Sequence, residues 1–178
     1  MGAGRPLPMK PLIEVLTSGA TYLAKKGIDE SRLNMEHLLA HVLRCRRMDL
    51  YLRFDEKLGD ATLEPLRELL RRRGDGEPLQ HLLGTVEFHD CELICDHRAL
   101  VPRPETEHLV TLILQRFGRT PPPRVLDVGT GSGCIGLSLT KAWPTASITL
   151  SDISEDALEL ARMNATRLGL NERVRLLR

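Results

Sequence analysis

Along the first 76 positions the apolar residues recur at helical spacing. In LIEVLTSGATYLAKKG the apolar positions 12, 13, 15, 16, 20 and 23 share one stripe of a 3.6-residue period, and Gly27 stops it. Met35, Leu38, Leu39, Val42 and Leu43 repeat the pattern, which predicts a second helix capped by Asp29 or Ser31. A short apolar stretch at 50–54 predicts another helical piece. LEPLRELLRRRG is the last of the series, capped by Asp60 or Thr62, with Pro65 expected in or near its first turn, where few amide bonds are lost. It ends at Gly74 with Arg71, Arg72 and Arg73 in the final turn, where positive charge suits the helix dipole.

After GDGEP (74–78) the period changes. GTVEF and ELICD are short, partly alternating stretches around His89-Asp90, which predicts a β-hairpin. Pro104 then opens a helix through ETEHLVTLILQRF, with Leu109, Leu112, Ile113 and Phe117 expected on one side, and GRTPPP (118–123) reads as a rigid loop. From Arg124 strands and helices alternate. VLDV is a buried strand, CIGLSLTKAW a helix ended by Pro144, and SITLSD a second strand. Ser154 caps EDALELARMNATRLG, and RVRLL begins a third strand. Such alternation implies right-handed crossovers and a parallel sheet. The expected class is α/β, divided into a helical bundle at 1–76, a β-hairpin linker at 77–102 and a Rossmann-like domain at 103–178.

Composition narrows the function classes. The 178 residues carry 25 basic and 24 acidic side chains, a balance that argues against a general polyanion binder and against a specific nucleic-acid partner. No apolar run approaches the roughly 18 residues of a spanning helix, and MGAGRPLPMK lacks the apolar segment of a signal peptide. Cys45, Cys91, Cys95 and Cys134 are few and irregularly spaced, which reads as reduced thiols of a cytoplasmic protein without a zinc site. His37 and His41 lie one helical turn apart with no third ligand evident, so no metal is expected. The arginines at 44, 46, 47 and 71–73 read first as a solvated face and second as a contact for an acidic partner.

The segment VLDVGTGSGCIG (125–136) carries the candidate chemistry. A loop between a parallel strand and its following helix lies at the carboxyl edge of the sheet, where such folds bind ligands. Gly129, Gly131 and Gly133 leave backbone open to a ligand, and 131–136 also satisfies the G-x-G-x-x-G dinucleotide pattern. A Walker loop is excluded, since no Gly-Lys-Ser/Thr follows. Asp127 discriminates among the rest. A carboxylate at the strand end works against a pyrophosphate and attracts a ligand bearing an ammonium and a sulfonium, as S-adenosylmethionine does. Asp152 closes the next strand, 19 residues after Gly133, placed to accept from both hydroxyls of a ribose. NAD would use an acid there too, so Asp152 identifies a nucleoside and not which one.

VPRPETE (101–107), VLDVGTGSGCIGLSL (125–139) and SDISEDALELARMNA (151–165), with GEPLQHLLGTVEFHDCELIC upstream, resemble the bacterial release factor glutamine methyltransferases, the HemK-like family. The resemblance covers essentially the whole chain. It implies a helical domain that recognises the release factor, a hairpin linker and a seven-stranded class I methyltransferase domain. The implied reaction transfers methyl from S-adenosylmethionine to the side-chain amide nitrogen of the glutamine in a release factor Gly-Gly-Gln motif. By position, Asp127, Gly129, Thr130, Gly131, Ser132 and Gly133 belong to the cofactor loop, and Asp152 is the ribose ligand. Arg103, Pro104, Glu105 and Glu107 form the signature beside the site, with Arg103 either bracing the loop or contacting the ligand.

One departure stands out. The family's Asn-Pro-Pro-Tyr segment, which holds the reactive amide, has no counterpart in the 178 residues, so none of them is assigned a catalytic role. The expectation is an inactive amino-terminal piece of a longer, monomeric enzyme, prone to self-association through the exposed edge of VLDV. The competing readings are a nucleic-acid amino-group methyltransferase, a non-catalytic release-factor-binding fragment and, more remotely, an NAD-dependent oxidoreductase.

Overall fold

In a computed structural model the described residues are 9–118 and 120–178. The sequence readings at 1–8, and that of Arg119 within the expected loop, lie outside them. The chain divides into two compact units, one ending at Leu83 and the other spanning Gly84–Arg178. That boundary falls inside the stretch expected to be a linker: its first part belongs to one unit and its hairpin to the other.

The first unit is helical. Strand β1 (Lys10–Pro11) pairs antiparallel with β2 (Lys57–Leu58), and around them lie α1 (Leu12–Lys25), α2 (Ser31–Leu43), a 3-10 segment (Arg47–Leu52), α3 (Asp60–Gly74) and the short α4 (Leu79–Leu83). Leu12, Leu16 and Leu23 of α1 meet Met35, Leu38 and Leu39 of α2 and Leu63 and Leu66 of α3 in an all-aliphatic core. Gly19 lets α1 approach α2 closely, because a Cβ there would lie 2.3 Å from the Met35 sulfur. Three local expectations fail. The cap of α2 is Glu30, in the left-handed region at φ 48°, and no side chain bonds the first turn. At α3 the cap is Gly59, again with no side-chain bond. Pro65 is the sixth residue of α3, past the first turn, so the carbonyl of Ala61 loses its helical partner; Ala61 is exposed to solvent.

The second unit opens with the hairpin β3 (Thr85–Phe88) and β4 (Cys91–Ile94), in register Thr85↔Ile94 to Phe88↔Cys91. His89 and Asp90 both have positive φ, 42° and 61°, which is the turn whose twist matches a two-residue hairpin. The hairpin is part of the domain core and not a bare connector: Phe88, Cys91 and Leu93 are buried with Val110, Leu137, Trp143, Ile148 and Leu150.

Helix α5 (Pro104–Phe117) follows, and then β5 (Arg124–Val128), α6 (Cys134–Ala142), β6 (Ser147–Ser151), α7 (Glu155–Arg167) and β7 (Val174–Leu177). The three strands are parallel in the order β5-β6-β7. Val125, Ile148, Leu150, Val174 and Leu176 point to the core under α6 and α7. The alternate positions Leu126, Val128 and Leu177 are exposed, so one sheet face is uncovered and β5 is an edge. On α5 the packed stripe is Val110, Ile113 and Leu114, with Phe117 edge-on to Trp143 at 6.1 Å, whereas Leu109 and Leu112 face outward.

Candidate functional site

The loop from β5 to α6 is held from two sides by carboxylates. Asp127, the fourth residue of β5, directs Oδ2 back into its own loop, where it accepts the Thr130 hydroxyl at 2.7 Å and the Gly136 amide at 3.1 Å. This closeness requires Gly136: an added Cβ would fall 2.0 Å from the fully buried Leu150 Cδ2 and 3.1 Å from Asp127 Oδ2. Asp127 thus braces the loop, a duty that the charge argument from sequence did not assign to it.

The end of β6 supplies the second side. The amides of Gly129 and Thr130 both donate to the Ser151 carbonyl, at 2.8 and 2.9 Å. Gly131 donates to Asp152 Oδ2 at 2.9 Å, and Ser154 donates to Asp152 Oδ1 at 3.0 Å. Gly133, in the left-handed region at φ 84°, caps α6 and donates to the Thr130 carbonyl at 2.9 Å. Four loop amides are therefore occupied within the protein. Each Asp152 oxygen accepts one backbone bond, which leaves acceptor capacity on both.

Facing the loop is the segment between the hairpin and α5. Leu100, Val101, Pro102, Arg103 and Thr106 line a cleft of about 190 Å³ with 129–132, Cys134 and Ile135. Leu100 is 77 % exposed at its mouth. Within it Ser132 Oγ is buried without a hydrogen-bond partner, a polar group available to a ligand. Burial pushes the Cys134 thiol up to about 11, so it is not a nucleophile at neutral pH.

The structure brings some expected residues together and separates others. Asp127, Gly129, Thr130, Gly131, Ser132, Gly133 and Asp152 form one continuous constellation with Arg103 across the cleft. Arg103 is exposed and takes part in no ion pair among the described residues; of the two parts considered for it, bracing the loop falls to Asp127 and Asp152. Pro104 is the first residue of α5, and Glu105 and Glu107 supply the acids of its first turn. Glu105 is exposed and Glu107 faces a separate hollow beside the hairpin turn, so neither lines the cleft. Missed from sequence were the cleft wall at 100–102 and the Ser151 carbonyl, because their part depends on backbone position and not on residue type.

The parallel strand–loop–helix arrangement and its acid-braced loop define a methyltransferase-type α/β domain, and residues 105–177 match the family described as "Methyltransferase small domain". Residues 14–84 match the "PrmC N-terminal domain". The chain is 43% identical over 160 residues to a release factor glutamine methyltransferase of Rhodopirellula baltica, covering 88% of this chain and 54% of the relative. It is 40% identical over 169 residues to one of Chlorobaculum tepidum, covering 92% and 58%, and 42% identical over 160 residues to one of Deinococcus radiodurans, covering 90% and 58%. A crystal structure of the S-adenosylmethionine-dependent methyltransferase SibL in its apo form aligns over 93% of this chain and 61% of its own, at 20% identity and a TM-score of 0.35. The chain belongs to the release factor glutamine methyltransferase family, and it spans about half the length of these curated relatives.

Proposed function

We propose that this chain forms the S-adenosylmethionine site of a protein-(glutamine-N5) methyltransferase whose substrate is the Gly-Gly-Gln glutamine of a peptide chain release factor. The relatives, at about 40% identity, are named release factor glutamine methyltransferases, which supports the reaction class and the protein substrate of this reading. The observation that carries the cofactor reading is the commitment of the loop amides. Gly129, Thr130, Gly131 and Gly133 donate to protein acceptors, and two carboxylates stand at the loop. A diphosphate needs free amides and is repelled by a carboxylate near the end of the same strand, where Asp127 lies; a nucleoside carrying a sulfonium needs no such amides and is attracted by that charge.

The cofactor supplies a methyl group made electrophilic by the adjoining sulfonium. The residues present fit its nucleoside. Asp152, pinned by two backbone bonds, retains acceptor capacity for the two ribose hydroxyls, and Ser132 Oγ is a buried polar group without a partner in the cleft. Asp127 adds negative potential beside the loop, and its bonds to Thr130 and Gly136 hold the open turn in place. The role of these residues is positioning, which lowers the barrier by fixing the donor before the acceptor arrives. No residue of the chain is assigned to hold the acceptor amide.

Calorimetric titration of the chain with S-adenosylmethionine tests the site. Hydrogen bonds to a charged acceptor contribute about 1.5–3 kcal/mol each, so Asp152→Asn is expected to weaken binding by roughly ten- to a hundredfold. Equal affinity in the variant would remove Asp152 from the site.

A further inference from the structure

One buried side chain joins the roots of both cleft walls. Asn164 of α7 is fully buried. Its Oδ1 accepts the Ile94 amide at 2.6 Å, and its Nδ2 donates to the Ile94 carbonyl at 3.2 Å and to the Ser132 carbonyl at 2.9 Å. Only one orientation of the amide satisfies all three groups, because Ile94 N–H needs an acceptor while two carbonyls need donors. Ile94 is the last residue of β4, and the chain runs from it into the wall at 100–103. The Ser132 carbonyl shares a peptide plane with the Gly133 amide, which bonds Thr130 and caps α6. Asn164 itself does not line the cleft.

We infer that Asn164 is a positioning residue that sets the spacing between the glycine loop and the facing wall, and through it the affinity for the cofactor. The consequence for the cofactor rests on the proposed reading of the cleft; the clamp itself does not. No other type of side chain of this size offers one acceptor and two donors without charge. Leucine removes all three bonds at similar volume. Aspartate keeps the shape and the acceptor but, when ionised, sets a negative oxygen against two carbonyls. When protonated it regains one donor.

This makes Asn164→Asp a variant whose defect depends on pH. Burial raises a carboxyl's pKa, so the acid takes up its proton as the pH falls from 8 towards 6. Neighbouring groups leave that window clear. Burial pushes the Cys95 thiol up to about 11, and burial likewise pushes Cys134 up to about 11. The bond from Arg98 holds Asp96 below the ordinary carboxylate range. The wild-type chain measured over the same range serves as the reference.

The experiment compares wild type, Asn164→Asp and Asn164→Leu by amide hydrogen exchange and by titration with S-adenosylmethionine, at pH 6 and pH 8. In the aspartate variant at pH 8, protection at Cys95 and Gly133, the amides that share peptide planes with the two carbonyls that lose their donor, is expected to fall about tenfold or more, the scale of one lost buried hydrogen bond, while Ile148 and Leu150 in β6 keep theirs. Cofactor affinity falls by a similar factor. At pH 6 both recover in part, whereas the leucine variant is impaired equally at both pH values. Aspartate behaving as wild type at both pH values would overturn the inference. So would an equal loss at 95, 133, 148 and 150, which marks general destabilisation. If the wild-type chain takes up no cofactor, the proposed function fails, and the exchange arm still decides the clamp.

Discussion

At the scale of residues, the informative groups are buried carboxylates and what they face. Glu36 of α2 is 2% exposed and accepts from the Tyr51 hydroxyl at 2.7 Å, Arg47 at 2.8 Å and Arg32 at 3.2 Å. Burial pushes its carboxyl up, but the bonds from Tyr51, Arg47 and Arg32 outweigh burial and hold it below the ordinary 4.5. A carboxyl with a depressed folded value stabilises above its unfolded value, and that contribution disappears as pH falls through the folded one. Glu36→Gln is therefore expected to lower the melting midpoint most at neutral pH, and the gap to wild type should close below about pH 4.5, as thermal melts across pH would reveal. A gap independent of pH would mean that Glu36 acts by packing alone. The arginines are a related lesson. Arg46 pairs with Asp49, Arg47 with Glu36, Arg71 with Glu68 and Asp75, and Arg72 with Glu77, while Arg73 bonds Asn34 and the Glu77 carbonyl. The sequence left a basic contact face open; ion pairs neutralise much of it, at helical i,i+3 or i,i+4 spacing for Arg46 and Arg71 and across 11 positions for Arg47, while the Arg73–Asn34 bond spans 39 positions and no local pattern announces it.

At the scale of elements, period and punctuation carried most of the reading. The helices at 12–25, 31–43 and 60–74, the hairpin and the strand–helix alternation were legible because each stripe or alternation is covered by a local partner. Where an element has two apolar stripes, periodicity does not choose between them. On α5, Val110, Ile113 and Leu114 face the core and Leu109 and Leu112 do not. The candidate site divides in the same way. Asp127, the glycines and Asp152 stood out by spacing, while the loop's dependence on Ser151 and Asn164 came only with tertiary contact. Two substitutions test element packing. Gly136→Ala forces a methyl onto Leu150 and is expected to cost about 1–3 kcal/mol in urea unfolding. Unchanged stability would show that α6 shifts freely from β5. Asp90→Gly relieves a left-handed residue in the hairpin turn, and a gain of about 0.5–1 kcal/mol is expected after the entropy cost of glycine. A loss would mean that the Asp90 side chain supports the turn.

At the scale of the molecule, each of the two units has its own buried apolar core, aliphatic in the first and including Phe88 and Trp143 in the second. The second has an uncovered sheet face and an open strand edge. Leu126 is 58% and Val128 73% exposed on β5. Apolar edges of this type recruit further strands. The 178-residue chain is accordingly expected to elute in concentration-dependent oligomers, with Val128→Lys shifting the distribution towards monomer. A monodisperse monomer at high concentration would contradict this.

The central claim concerns which nucleoside the glycine loop accepts. Side-by-side calorimetric titration of the chain with S-adenosylmethionine and NADH, in one buffer, tests it most directly. The account predicts saturable binding of the sulfonium compound and none of the dinucleotide, because the amides at 129–131 and 133 have no bond to spare for phosphate. Binding of NADH as tight as, or tighter than, that of S-adenosylmethionine would contradict it.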